Sequence, residues 1–99
     1  MAVFFARTAK EGGRDLAVLC KWDDEHAVVN GTSYSALFYR VIEKGSKISV
    51  QTLADLNKQF DTDDLVRLNK NGKWVQGPKP KFTTVAGVKK LLTKMGLKQ

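Results

Sequence analysis

Apolar residues near the beginning of the chain fall in two runs typical of β-strands, and in the second run Leu16, Val18, Cys20 and Trp22 lie on one face with Ala17 and Leu19 on the other. Residues 2–9 (AVFFARTA) and 15–22 (DLAVLCKW) are rich in strand-forming side chains, and a polar loop containing Gly12 and Gly13 separates them. A loop of this kind between two such runs predicts an N-terminal antiparallel hairpin.

A tight turn and then a change of period are predicted next. The short apolar run at residues 27–29 precedes Asn30-Gly31, the dipeptide that best tolerates the backbone angles of a two-residue hairpin turn. From Ser35 onward the apolar residues recur at helical spacing, which predicts a helix over residues 35–44. The run Phe-Tyr-Arg-Val-Ile within it also suits a strand.

A second helix is predicted over residues 50–60, because apolar side chains recur there every three or four residues, at Val50, Leu53, Leu56 or Asn57, and Phe60. Ser49 stands at the position where an N-cap is preferred. Only a few residues, including a glycine, separate the two predicted helices. They therefore form a helix pair of the kind found in helix-turn-helix modules and in other small helical corners.

Residues 61–76 have two interpretations. Residues 61–64 (DTDD) have the composition of a helix start, because hydroxyls and carboxylates suit a helix N-terminus. Residues 65–70 (LVRLNK) are then either a short third helix or the first arm of a hairpin. We favour the hairpin, with Asn71-Gly72 as a two-residue turn, residues 73–76 as the second arm, and Leu68 paired with Val75.

The C-terminal part is predicted to be an extended arm followed by a helix. Pro78 and Pro80 remove backbone donors and hold residues 77–81 extended. A helix is predicted over residues 85–95, because its apolar residues form one stripe. Thr83 or Thr84 suits its N-cap, and Gly96 suits its end.

These elements predict a small single domain, residues 1–99, of the α+β class. Its parts are an N-terminal antiparallel β-hairpin, a central helix pair, a C-terminal basic β-hairpin and a final helix. This order is similar to that of winged helix-turn-helix modules in general. The long β-rich N-terminus departs from the simplest form of such modules.

Composition favours an ordinary folded domain in a reducing compartment. Of the 99 residues, 42% are hydrophobic and 27% are charged, which separates the chain from disordered proteins. Cys20 is the single cysteine, so no internal disulfide is expected, and its apolar surroundings favour a buried, inert thiol. No apolar run approaches the roughly 20 residues that span a bilayer, so a cytoplasmic setting is the default expectation.

Positive charge is concentrated in one part of the chain, residues 65–99, which we call the basic stretch. It contains nine Lys and Arg residues and no Asp or Glu, whereas residues 1–64 contain eight basic and ten acidic residues. A surface of one sign attracts polyanions. The alternative is a face that serves only solubility, but the lack of any acidic residue favours binding.

The basic stretch supplies the candidate binding residues. Eight of its nine basic residues are lysines, which favours phosphate contacts over the bidentate base contacts that arginine makes best. Trp74 either stacks on unpaired bases or packs in the core. The predicted nucleic-acid-binding residues are Arg67, Lys70, Asn71, Lys73, Trp74, Lys79, Lys81, Lys89, Lys90 and Lys94.

No catalytic pattern is recognisable, so a non-enzyme without cofactors is expected. The single histidine, His26, follows three acidic residues at positions 23–25, but neighbouring residues of a turn point in different directions, and no second His or Cys completes a zinc shell. From the charge of the basic stretch we predict a small regulatory protein that binds nucleic acid, DNA rather than RNA. The alternative is an adaptor or inhibitor that docks its basic side on an acidic protein surface.

Overall fold

The computed structural model describes all 99 residues, and about half of them lie in one antiparallel sheet of six strands, with two short helices. The elements in chain order are β1 Ala2–Ala6, β2 Asp15–Glu25, β3 Val29–Lys44, β4 Lys47–Thr52, α1 Ala54–Asn57, β5 Asp61–Leu68, β6 Trp74–Gln76 and α2 Val85–Lys94.

The long strand β3 organises the sheet. Along one side it pairs with β2, and β2 pairs in turn with β1 as an N-terminal hairpin. Its other side is shared, because the first half of β3 pairs with β5 and the second half pairs with β4. The sheet therefore has the order β1-β2-β3-β5-β6, with β4 beside β5 on the same side of β3.

Helix α1 closes the gap that β4 and β5 leave along β3. The backbone N–H of Ala36 donates to the carbonyl of Phe60 at 2.9 Å, and the N–H of Leu53 donates to the carbonyl of Phe38 at 3.0 Å. The side chain of Asn57 accepts from the N–H of Phe38 at 2.7 Å. Since buried backbone groups need partners, Asn57 here takes the place of a neighbouring strand.

The predicted central helix pair, and with it the α+β winged-helix-like arrangement, is wrong. Residues 35–44 are the second half of β3, and residues 50–60 hold the end of β4 and a single helical turn. Apolar residues at i, i+1, i+4 and i+5 also fit a strand that is apolar on both faces. Pairing with β2 and β4 makes the segment a strand and not a helix. Local periodicity carries no information about these partners, because they are distant in sequence.

The predicted turn at Asn30-Gly31 and the predicted helix start at residues 61–64 are also wrong. Both segments are strand in the β3–β5 ladder, where Asn30-Gly31 pairs with Val66 and Leu65, and residues 61–64 pair with residues 32–35. The chain instead reverses between β2 and β3, where the N–H of His26 donates to the carbonyl of Val29 at 2.9 Å. Glycine is needed at position 31 for two reasons. Its φ is +144°, and a side chain there would meet the backbone of Asp64 and Leu65 on the neighbouring strand.

The core lies on one side of the sheet, which we call the helix face because α2 covers it. Small residues of three neighbouring strands, Ala6, Ala17 and Ala36, are fully buried and leave room for Val88 and Leu92 of α2. Phe38, Phe60 and Phe82 complete the cluster, with ring centroids of neighbours 4.9 and 5.8 Å apart.

Helix α2 begins and ends close to the predicted bounds. The Thr84 hydroxyl accepts from the N–H of Gly87 at 3.0 Å. At the other end Gly96 has φ +88°, and the N–H of Leu97 donates to the carbonyl of Leu92, which is a Schellman ending.

Neither α1 nor α2 is long and apolar enough to pass through a bilayer.

The ion pair of the structure joins β2 to β3 at the end of the helix face. Arg40 Nε lies 3.3 Å from Asp15 Oδ1, and Asp15 also accepts from the Thr8 hydroxyl. The carboxylate is buried, so these donors compensate for its loss of water. Nearby, the side chain of Gln99 exchanges two hydrogen bonds of 2.8 Å with the backbone of Arg7.

The opposite side of the sheet is not covered, and we call it the open face. Alternation along β1 to β4 places apolar or aromatic residues there, among them Val3, Phe5, Leu16, Val18, Leu37, Tyr39, Val41, Ile48 and Val50. The radius of gyration is 16.7 Å, against about 13 Å for a compact domain of this length. Only 12 of the 99 residues are buried, as expected for a sheet that is covered on one side.

Candidate nucleic-acid interface

The basic stretch runs from one edge of the sheet to the other, because α2 ends beside β1, where the Gln99 side chain bonds to the backbone of Arg7. It begins in β5, turns into β6, which is the last strand of the sheet, and then returns beside β5 towards the core. The N–H of Gly77 donates to the carbonyl of Leu65, and the N–H of Lys81 donates to the Thr62 hydroxyl, both at 2.8 Å. The arm with Lys79 and Lys81 therefore lies between the hairpin tip and α2.

The β5–β6 hairpin is present, but its predicted register is wrong by one residue. Leu68 pairs with Trp74, not with Val75. The N–H of Asn69 donates to the carbonyl of Lys73 at 2.8 Å, which leaves a three-residue loop that ends at Gly72 with φ +74°. This geometry is the common alternative to a two-residue hairpin turn.

The side chain of Asn69 explains the longer loop. Its Oδ1 accepts from the backbone N–H groups of Asn71 and Lys73, both at 2.9 Å. These two bonds hold the loop that presents Lys70, Asn71 and Lys73 to solvent. Asn and Asp are favoured in turns because their short side chains reach nearby backbone donors in this way.

Replacing Asn69 by alanine is expected to lower the free energy of unfolding by about 1 kcal/mol, because two exposed backbone donors lose their protein acceptor. Urea denaturation of the purified variant measures this change. Asn71→Ala is the matched control, since the Asn71 side chain makes no hydrogen bond to the rest of the chain. Equal losses from the two variants would contradict this account of the loop.

The predicted binding residues are exposed, apart from half-buried Lys89. Trp74 keeps 49% of its surface exposed beside Leu68 on one face of the hairpin, so its ring is accessible for stacking. Arg67 lies on the other face, opposite Val75. Phe82, the second aromatic residue of the basic stretch, is buried in the core and unavailable to a ligand.

No carboxylate forms an ion pair with the basic stretch, since the structure has its ion pair at Asp15 and Arg40. Four carboxylates of the neighbouring strands accept hydrogen bonds from uncharged donors. Hydroxyls of Thr32, Ser33 and Ser35 donate to Asp23, Asp24 and Asp61, respectively, and the amide of Gln76 donates to Asp64. The lysines of the basic stretch therefore have no carboxylate within ion-pair distance.

The structure groups the basic residues into three parts rather than one patch. Lys70, Asn71 and Lys73 lie together at the tip, and Lys79 and Lys81 lie along β5. Lys90 and Lys94 lie on α2 away from the core. Thr62 and Asn69 are seven positions apart along β5 and its end, which is roughly 23 Å of extended chain. We call these three parts together the basic strip.

Sequence reasoning missed two features outside the strip. One is the open face, which the alternation in residues 37–50 would have indicated had they been assigned to strands. The other is a shallow cleft of about 410 Å³ beside β5, lined by Trp22, Ser33, Ser35, Asp61 and Asp63 among others. No three His, Cys, Asp or Glu side chains in the structure form a group suited to a metal ion.

Comparisons with known proteins give no further assignment. No protein family model matches the chain, and neither the curated proteins nor the solved structures include a significant match.

Proposed function

We propose that this protein is a small, non-enzymatic nucleic-acid-binding protein of the cytoplasm, with a regulatory role, that prefers DNA to RNA. It contacts phosphates through the basic strip. The observation that carries the proposal is the run of exposed Lys and Arg side chains without a carboxylate partner. Such groups exchange their bound anions for phosphates and release the counterions of the polymer, which drives association.

Binding is expected to depend weakly on base sequence. Lysine contacts to phosphates position a protein without reading bases. Of the three amide side chains in the strip, Asn69 is committed to its own loop and Gln76 to Asp64. Asn71 is the one amide at the tip that remains available for a base edge.

Trp74 adds a preference for unpaired bases near the tip. Its exposed ring lies on the hairpin between the lysines of the tip and those of the arm. Stacking of a base on an aromatic ring contributes about 1–3 kcal/mol per base and does not require a particular sequence. Duplexes with a single-stranded end are therefore expected to bind more tightly than blunt duplexes.

A titration at several salt concentrations tests the proposal. With about five phosphate contacts, the logarithm of the binding constant for duplex DNA should fall with the logarithm of the salt concentration with a slope near −4 to −5. Fluorescence anisotropy with a labelled duplex of mixed sequence gives this slope. Absence of binding at low salt, or a slope near zero, would refute the proposal. Partners captured equally well after nuclease treatment would point to docking on an acidic protein instead.

A further inference from the structure

The open face is a continuous apolar surface that nothing in the structure covers. It extends over four neighbouring strands, from β1 through β2 and β3 to β4. Five of its residues keep about half or more of their surface exposed: Val3 62%, Phe5 60%, Val41 49%, Ile48 70% and Val50 59%. On the other side of the same sheet, α2 shields the core. An antiparallel sheet commonly leaves its second face to water, but that face is then polar, whereas here it is apolar.

The apolar surface is large enough for a stable contact. Its exposed area, on the order of 600 Å², is at the upper end of what monomeric proteins expose. It also approaches the roughly 800 Å² that each partner contributes to a standard protein interface. In a dimer, residues around the edge of the patch would supply the rest of the interface area.

The charge distribution selects the kind of partner. No charged side chain lies inside the patch, and Glu43 next to Ile48 stands at its rim. The carboxylates of Asp24, Asp61 and Asp63 lie on the same side of the sheet but farther along β2 and β5. Neither a polyanion nor a highly charged protein surface matches a flat, neutral patch. A second copy of the same patch does, because an uncharged apolar face is complementary to itself in a two-fold contact.

We propose that the open face is the interface of a symmetric homodimer. Two copies placed with their open faces together form a β-sandwich, whose inner side chains interdigitate in a layer about 10 Å thick. This buries the apolar face of each sheet, which the single chain leaves exposed. In this arrangement α2, with Lys90 and Lys94, lies on the outer side of each copy, and the dimer presents two basic strips.

Sedimentation equilibrium of the unmodified chain is the direct test. The expected mass is twice the 11.0 kDa of one chain, with dissociation on dilution. Since the contact is apolar, added salt should leave the dimer unchanged or strengthen it, whereas nucleic-acid binding weakens with salt. Failure of one proposal is therefore distinguishable from failure of the other. A monomer at concentrations up to about 100 μM would overturn the dimer, because a specific interface of this area binds more tightly than that.

Substitutions locate the contact. Val41→Glu buries a carboxylate in the proposed interface and should weaken dimerisation roughly 100-fold. Val28→Glu is the matched control, because Val28 is 54% exposed, close to the 49% of Val41, but lies in the β2–β3 turn outside the patch. The control should dimerise normally. Equal dimerisation of both variants would overturn the proposal.

Two further measurements cover a Val41→Glu protein that does not fold and an open face that binds lipid. If Val41→Glu does not fold, Val41→Thr combined with Val50→Thr keeps the β-branched shape at this cross-strand pair and should still weaken the dimer about tenfold. Flotation with phosphatidylcholine vesicles tests the competing use of an apolar face. A monomer that floats with the vesicles would assign the patch to a lipid surface and overturn the dimer.

Discussion

Replacing both Lys70 and Lys73 by glutamate is expected to lower the affinity for duplex DNA about 100-fold at low salt, because two phosphate contacts are lost and two repulsions replace them. The slope of the salt dependence should become less steep by about 2. Fluorescence anisotropy over a series of salt concentrations measures both quantities. The fold should be unaffected, since both side chains are exposed and form no ion pair.

The chain offers a matched control for this charge change. Lys44 and Lys47 flank the β3–β4 turn as Lys70 and Lys73 flank the β5–β6 loop, but they lie at the opposite end of β3. Replacing both by glutamate changes the net charge by the same amount. If the two double variants lose affinity equally, overall charge and not the basic strip governs binding.

A third double variant, with Lys90 and Lys94 replaced by glutamate, tests whether the nucleic acid contacts the whole length of the basic strip. These residues lie on the outer side of α2, separated from the hairpin tip by the arm that carries Lys79 and Lys81. A polymer that follows the whole strip contacts both ends, so glutamates on α2 should also weaken binding. A short duplex that reaches only the tip should not respond to them.

Replacing Gly31 by alanine is expected to lower the free energy of unfolding by about 2–4 kcal/mol. At φ +144° an L-residue is strained, and a methyl group there would clash with the carbonyl oxygen of Asp64 and lie 2.9 Å from the Cα of Leu65. The β3–β5 ladder must separate to admit it. This loss is a large part of the roughly 5–15 kcal/mol that stabilises a typical domain. Urea denaturation followed by circular dichroism measures it.

Gly13→Ala is the control for this substitution. A side chain at Gly13 meets no atom within 4 Å, and the backbone there does not have a positive φ. Alanine should therefore leave stability unchanged or raise it slightly, because it restricts the unfolded chain. A Gly31→Ala protein as stable as Gly13→Ala would show that β3 and β5 are farther apart than the structure places them.

Local sequence signals identify the two ends of the fold and fail in the middle. The alternation in residues 15–22 indicates β2, and the Thr84 cap with Gly96 indicates α2, because both signals lie within the element itself. Residues 35–44 carry apolar side chains on both faces, since Phe38 is buried against α2 while Val41 lies on the open face. The partners that make this segment a strand are distant in sequence, so no local pattern reveals them.

The candidate site, too, is predictable from the sequence only in part. Clustering of positive charge is visible in the sequence, because it requires only counting. The register of the β5–β6 hairpin is not, since it depends on the two bonds that the Asn69 side chain makes inside the loop. Burial of Phe82 likewise depends on its packing beside Phe60, which is set by the return of the arm along β5.

The bond from Phe38 to Asn57 lies where one side of β3 has no strand partner. Strands β4 and β5 lie on the same side of β3 without bonding to each other, and a side chain and two backbone bonds fill the interval between them. On its other side β3 pairs with β2 without a break across the same residues. The sheet is therefore continuous through this interval, and β2 supplies the regular ladder that joins the end of the sheet bearing the β5–β6 hairpin to the end bearing β4.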